Sequence, residues 1–191
     1  MVDKTRRPAM TPGRAAVLGL MNRYAALGYG LTLLEVQKLV YFLQVAGEPL
    51  PRIEFAKQKY GPYADALRHV LERMETHYIQ GYGDGTNKPT TPIRLLNGAG
   101  TQAEEFVAAH VETKQRFERV TRLIKGFETP YGMELLASVH WVATHDDPAA
   151  RHDPVAAVKA LHLWSTRKQE RFQTEHIEIA WRRLHEQDWL N

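Results

Sequence analysis

The chain has 191 residues, 43% of them hydrophobic and 25% charged, a balance that excludes wholesale disorder. Lys and Arg total 25 and Asp and Glu 22, a formal charge of +3, and the absence of cysteine removes disulfides, thiolate zinc sites, iron–sulfur clusters and cysteine nucleophiles. A chain of this length buries roughly 70% of its unfolded surface in one core and needs no covalent staple.

The excess charge is local. Residues 1–30 hold Lys4, Arg6, Arg7, Arg14 and Arg23 against Asp3, a local +4, so the remaining 161 residues sum to −1. Residues 1–10 read as a basic tail or linker remnant ahead of a domain over 11–191. Such an arm either touches phosphate or is simply solvated. The balanced body argues against a broad DNA-binding face. The longest apolar run, around residues 39–43, is far short of the roughly 20 residues of a membrane span. No charged start leads into an apolar signal core, so a cytoplasmic protein without a membrane partner is expected.

Thr11-Pro12 supplies an N-cap and a proline at the first helical position, followed by Val17, Leu20, Met21, Tyr24 and Leu27 at helical spacing, with Gly28 as the stop. Thr32 and Glu35 form a capping box for a second helix carrying Leu33, Val36, Leu39, Val40 and Leu43. Pro49 and Pro51 exclude a long helix over the next stretch, where 53–56 alternates as a short strand. Gly61-Pro62 is expected to open a third helix through Leu67, Val70, Leu71 and Met74. Gly81, Gly83 and Gly85 mark a turn-rich loop, and residues 93–96 read as a second strand. Thr101 and Glu104 read as the capping box of one long helix ending at Gly126. Thr129-Pro130 starts another, with Met133, Leu136, Ala137, His140 and Trp141 inward and Asp146-Asp147-Pro148 as its end. Asp153-Pro154 starts a short helix, and Thr174 with Glu175 starts the last. The expected fold is mainly α: a single compact domain of about seven helices with a small two- or three-stranded β element.

Catalytic patterns are sparse. His185-Glu186 has Trp189 where a zincin needs its second histidine. His140 and His145 lie five apart, displaced by roughly 140° around a helix, so a metal site with Asp146 is disfavoured. Gly81, Gly83 and Gly85 before Lys88 superficially suggest a phosphate loop, yet Pro89 and Pro92 follow where a helix is required. No cofactor is expected, and no enzyme activity. What stands out is the density of aromatics, glycines and prolines over 55–85: Lys57, Tyr60, Gly61, Pro62 and Tyr63, then Tyr78 and Tyr82. Tyrosine suits interfaces because it offers a large contact area with a polar tip; packing of the turn accounts for the same pattern.

Several motifs carry a resemblance. Leu34-Glu35-Val36-Gln37-Lys38-Leu39-Val40-Tyr41-Phe42-Leu43, then Tyr60-Gly61-Pro62-Tyr63-Ala64, Leu67-Arg68-His69-Val70-Leu71, and the Gly81 to Gly85 loop resemble the C-terminal domain of the DarG antitoxin. Gly126-Phe127-Glu128-Thr129-Pro130-Tyr131-Gly132 and the closing His176-Ile177 with Ala180-Trp181 extend the likeness, which covers the chain from about residue 10. The Lys-Leu-x-Tyr-Phe helix is also similar to Panacea/SocA-like antitoxin domains. The resemblance implies a protein partner, the toxin DarT, an ADP-ribosyltransferase that modifies thymidine in single-stranded DNA, and a macrodomain joined to this one in the full-length antitoxin. It implies a non-catalytic role in phage defence: the domain neutralises DarT by occluding its single-stranded DNA cleft through DNA mimicry.

With a body charge of −1, mimicry must be local. The expected partner-binding residues are Glu48, Glu54 and Asp84 as anions, Tyr60, Tyr63, Tyr78 and Tyr82 as stacking groups, and Lys57 beside them. Asp146, Asp147 and Asp153 form the next most acidic surface. Direct DNA binding is not expected as the primary role; the alternative is a nucleic-acid-binding regulatory domain using the basic arm and helical surface.

Overall fold

The computed structural model describes residues 6–26, 28, 30–85 and 90–191. Leu27 of the first expected stripe, Lys88 and Pro89 of the glycine loop, and Asp3 and Lys4 of the arm lie outside the described residues. Among the described residues the protein is mainly helical, with nine α-helices and two small two-stranded antiparallel sheets. Its contacts divide it into two compact units. The first comprises the described residues up to Ala56 together with Tyr63–Arg122; the second comprises Lys57–Pro62 and Leu123–Asn191. None of the three crossing points, at 56/57, 62/63 and 122/123, has the Gly/Ser-rich composition of a linker.

The first unit begins with α1 (Pro12–Ala25), where the Thr11 side chain accepts from the Arg14 N–H at 3.3 Å. α2 (Leu33–Val45) starts at the expected capping box. Glu35 Oε2 accepts from both the backbone N–H and the hydroxyl of Thr32 at 2.7 Å, and its Oε1 accepts from the buried Tyr24 hydroxyl at 2.5 Å. One carboxylate thus caps α2 and ties it to α1. α4 (Ala99–Ala108) and α5 (Val111–Ile124) follow, and small residues set the packing distance: a Cβ on Gly19 would lie 2.9 Å from the Phe117 ring, so glycine lets α1 approach α5. Leu18, Met21, Leu39, Phe42, Phe117 and Val120 are buried in this core.

Between α2 and α4 the unit holds α3 (Leu67–Met74), β3 (Ile79–Gln80) and β4 (Arg94–Leu95). β3 and β4 pair antiparallel, Ile79 opposite Leu95 and Gln80 opposite Arg94. Gly81 makes the exit from β3 possible. Its φ is 103°, and any Cβ there would collide with the Pro92 carbonyl oxygen. The Glu75 carboxylate accepts from the N–H groups of Gly81 and Tyr82 at 3.1 and 3.2 Å, which fixes the turn. The glycine loop is therefore a structural turn.

The second unit contains the hairpin residues Lys57–Pro62, which carry most of β1 (Ala56–Gln58) and the start of β2 (Gly61–Tyr63). Its helices are α6 (Pro130–Trp141), α7 (Pro154–Trp164), α8 (Thr166–Arg171) and α9 (Thr174–Glu186). Thr129, Asp153 and Ser165 each cap the helix that follows, through bonds to Gly132 N (2.9 Å), Val155 N (2.8 Å) and Lys168 N (3.2 Å). α6 continues into a π-helical turn, Val142–Asp146, and then a 3-10 turn, Pro148–Arg151. α6 is buried almost all round, from Gly132 to Trp141.

Four local expectations are corrected. Gly61-Pro62 does not open a helix: Gly61 has φ 96° and lies in β2, and the helix begins at Leu67. The first strand starts at Ala56, later than the alternation over 53–56 suggested. The long helix from Thr101 is two helices. α4 starts at Ala99 behind Gly98, which places Thr101 in its first turn, and the break before α5 is held by His110, stacked on Phe106 at 4.2 Å and bonded to the Phe106 carbonyl oxygen at 2.7 Å. The basic arm is not loose where described: Arg7 lies 4.4 Å over the Tyr78 ring and donates to Gln102 at 2.7 Å.

Candidate functional site

In the second unit, the most unusual chemistry lies between α6 and α8. Glu134 sits among Met133, Leu135 and Leu136 and is 1% exposed. A buried carboxylate needs cations and hydrogen bonds to stay charged, and α8 supplies them. Arg167 donates to both carboxylate oxygens, at 2.6 and 3.1 Å, in the bidentate geometry that guanidinium favours. Lys168 Nζ donates to Glu134 at 2.7 Å and to Ser138 at 2.9 Å; those two acceptors lie one helical turn apart on α6 and so share a face. Arg171 Nε stands 3.5 Å from the other oxygen.

Burial pushes the Glu134 carboxyl up, but the hydrogen bonds of Arg167 and the charge and hydrogen bond of Lys168 outweigh it and hold it below the usual carboxylate range. Lys168 goes the other way. Burial drives its ammonium down to about 8, because a single carboxylate attracts it while Arg167 and Arg171 repel it. These opposite shifts give a signed expectation. Glu134 contributes stability above its unfolded value, and that contribution is lost as pH falls through its lower folded value. Charged Lys168 opposes folding below pH 8, and this penalty disappears as pH rises from about 8 toward 10.5. Urea titrations should therefore show a Lys168-dependent gain in stability across that upper window, on the order of 3 kcal/mol, which Lys168→Met abolishes.

The outer side of this cluster is aromatic and cationic. Arg167 lies 4.6 Å from the Tyr60 ring centroid and Lys59 lies 5.3 Å from it. Lys57 lies 4.5 Å over Trp164 and pairs with Asp146. Arg171 lies 5.3 Å from the Tyr131 ring, and the Tyr131 hydroxyl bonds His176 Nδ1 at 2.7 Å. The charge is not balanced locally. Lys57, Lys59, Arg167, Lys168 and Arg171 stand against Glu134, Asp146 and Glu170, leaving +2, whereas the whole unit holds ten basic and ten acidic side chains. A carboxylate held by three cations is a support for their geometry, and the face it organises suits an anionic ligand carrying a ring.

The residues expected from the sequence divide by burial. Lys57 and Tyr60 come together on the second unit. In the first unit Glu54 and Asp84 are exposed and Tyr63 is half-buried. Glu48, Tyr78 and Tyr82 are 3%, 2% and 5% exposed, and their roles are internal. Glu48 accepts from Thr113 at 3.2 Å and from Arg116 at 3.1 Å; it is a structural anion and no phosphate mimic. The Tyr78 hydroxyl donates to the Pro8 carbonyl at 2.7 Å. Tyr82 packs at the loop tip, where its hydroxyl, Arg68 Nη2 and Glu72 Oε1 surround Gly85. The acidic triplet is also spent internally: Asp146 on Lys57, Asp147 on the Ala149 N–H and Asp153 on the Val155 N–H. His140 bonds the Trp189 carbonyl at 3.0 Å and His145 stacks on Trp141 at 3.9 Å. No three His, Cys, Asp or Glu side chains gather as a metal site among the described residues, and no described helix is long and apolar enough to cross a membrane.

Glu134, Trp164, Arg167, Lys168 and Arg171 were missed from the sequence. A lone carboxylate inside the apolar segment Gly132-Met133-Glu134-Leu135-Leu136 is the signal for the first, and Arg167 with Arg171 at helical spacing is the signal for its partners.

No family model matches the sequence. The DNA ADP-ribosyl glycohydrolase of Thermus aquaticus is 45% identical over 180 residues, 94% of this chain and 48% of that protein. The DNA ADP-ribosyl glycohydrolases of Mycobacterium tuberculosis and Mycobacterium bovis are each 35% identical over 189 residues, 92% of this chain and 53% of theirs. The chain spans about half the length of the curated relatives it matches. These proteins bear the name of a hydrolase and not of an antitoxin. That finding overturns the resemblance to a toxin-neutralising DarG or Panacea/SocA-like domain, the role of occluding DarT by DNA mimicry in phage defence, and the expectation of no enzyme. ADP-ribosylated DNA is what the expectation and the relatives have in common.

Proposed function

We propose that this chain serves the removal of ADP-ribose from DNA. The observation that supports the reading is the 45% identity, extending over 94% of the chain, to a protein named for that reaction. In a glycohydrolase reaction, water adds across the glycosidic bond, releasing ADP-ribose and restoring the nucleoside. The substrate is polyanionic and carries bases, and the +2 aromatic face of the second unit has complementary chemistry. The partners belonging to the proposal are a macrodomain working with this chain and a DarT-type transferase as the source of the modification. The exposed Glu54 and Asp84 and the half-buried Tyr63 are the residues assigned to protein contact.

The test is release of free ADP-ribose from an ADP-ribosylated single-stranded oligonucleotide, followed chromatographically. Release is measured for this chain alone, for the half of the Thermus aquaticus relative outside the match, and for the two together. The expected result is that adding the chain raises turnover or lowers KM by about tenfold, equivalent to about 1.4 kcal/mol. Identical kinetics with and without the chain, and no release by the chain alone, would refute the proposal.

A further inference from the structure

We propose that the hairpin tip at Lys59 and Tyr60, together with the basic face of α8, is a strand-binding surface that takes a nucleotide base on Tyr60 and phosphate on the surrounding cations. The inference deepens the reading above, on which it rests for the choice of DNA as the strand.

Four observations carry it. Tyr60 is 44% exposed, whereas Trp141 and Trp181 of the same unit are 8% and 9% exposed. A tyrosine left outside a well-formed core is available for stacking. Second, the Arg167 guanidinium lies 4.6 Å from its ring centroid, and Arg167 is itself clamped bidentate by the buried Glu134, so a positioned cation stands beside the ring. The Arg167 side chain, held by two hydrogen bonds, has little conformational entropy left to lose on binding. Third, residues 57–62 carry Lys57 and Lys59 and no acid, and the whole face is +2 within a neutral unit. Fourth, a second ring, Trp164, lies beneath Lys57 at 4.5 Å, so rings and cations alternate across the face. Aromatic platforms set in a positive surface are the recurring means of holding single-stranded nucleic acid without reading its sequence.

The same chemistry, phosphate plus base, is present in the DNA strand and in the ADP-ribosyl group, and the experiment separates them. The full chain is titrated into a fluorescein-labelled single-stranded oligonucleotide at rising salt and followed by anisotropy, then competed with free ADP-ribose. Saturable binding that falls with salt is expected. Tyr60→Ala should weaken it about 5- to 50-fold, Tyr60→Phe should retain it, and Lys59→Glu should lower the affinity and flatten the salt slope by about one ion. Arg6→Ala and Arg7→Ala should leave it unchanged. ADP-ribose is expected not to displace the strand; displacement would assign the surface to the ADP-ribosyl group and overturn its reading as a strand site. The proposal is overturned if neither probe binds at low salt, or if the arm variants lose binding while Tyr60→Ala, folded by circular dichroism, keeps it. Binding is read without turnover. Intact binding with no effect on ADP-ribose release sinks only the functional reading, and an effect on release without Tyr60-dependent binding sinks only this one.

Discussion

Glu134→Gln is expected to destabilise the second unit by about 3–5 kcal/mol, the cost of stranding a buried cation after its counter-charge is removed. The amide keeps the volume and one acceptor oxygen, so lost packing does not account for the effect. What remains is Lys168, fully buried, with the neutral acceptors of Ser138 and the amide but no counter-charge. Lys168→Met should be far milder near neutral pH, within about 1–2 kcal/mol, because Glu134 retains Arg167 and Arg171. All four tryptophans, Trp141, Trp164, Trp181 and Trp189, belong to the second unit, so tryptophan fluorescence during urea unfolding reports that unit. Equal losses for the two variants would mean that packing, and not the uncompensated charge, dominates this site. The same carboxylate orients Arg167 against Tyr60, so Glu134→Gln at low denaturant should also weaken the oligonucleotide binding proposed above.

Gly81→Ala is expected to cost the first unit about 2–4 kcal/mol, the sum of a left-handed backbone strain and a steric clash. The clash is with the Pro92 carbonyl, which belongs to the backbone leading into β4 and has no rotamer by which to withdraw. Gly98→Ala is the internal control. Gly98 has φ 78° and nothing within 4 Å of an added Cβ, so it carries the conformational cost alone, about 1 kcal/mol. Thermal unfolding followed by circular dichroism measures both. Indistinguishable melting temperatures for the two would show that the β3–β4 turn yields, contrary to the geometry.

Several elements were legible in the sequence because their signals are local. Thr11-Pro12, Thr129-Pro130 and Asp153-Pro154 each start a helix where expected, since an N-cap acts on an N–H only two or three residues away. Glu35 is the intermediate case. Its bond to Thr32 follows from spacing, but its bond to Tyr24 needs α1 to fold back on α2. Gly61-Pro62 misled because the same dipeptide suits a helix start and a β-turn exit, and pairing between β1 and β2 decides between them. The tyrosines show the same limit. Composition singled out Tyr60, Tyr78 and Tyr82 together, yet Tyr60 is half exposed while Tyr78 and Tyr82 are buried.

The helical class of the protein and the starts of α1, α2, α6 and α7 follow from the amino-acid sequence alone, because apolar periodicity and capping operate within a few residues. The meeting of Glu134 with Arg167, Lys168 and Arg171, more than thirty positions away, and the placing of Tyr60 beside them, were decided only by the tertiary structure. No local rule specifies which distant cation will compensate a buried carboxylate; that choice is made when α6 and α8 pack and water is expelled from between them.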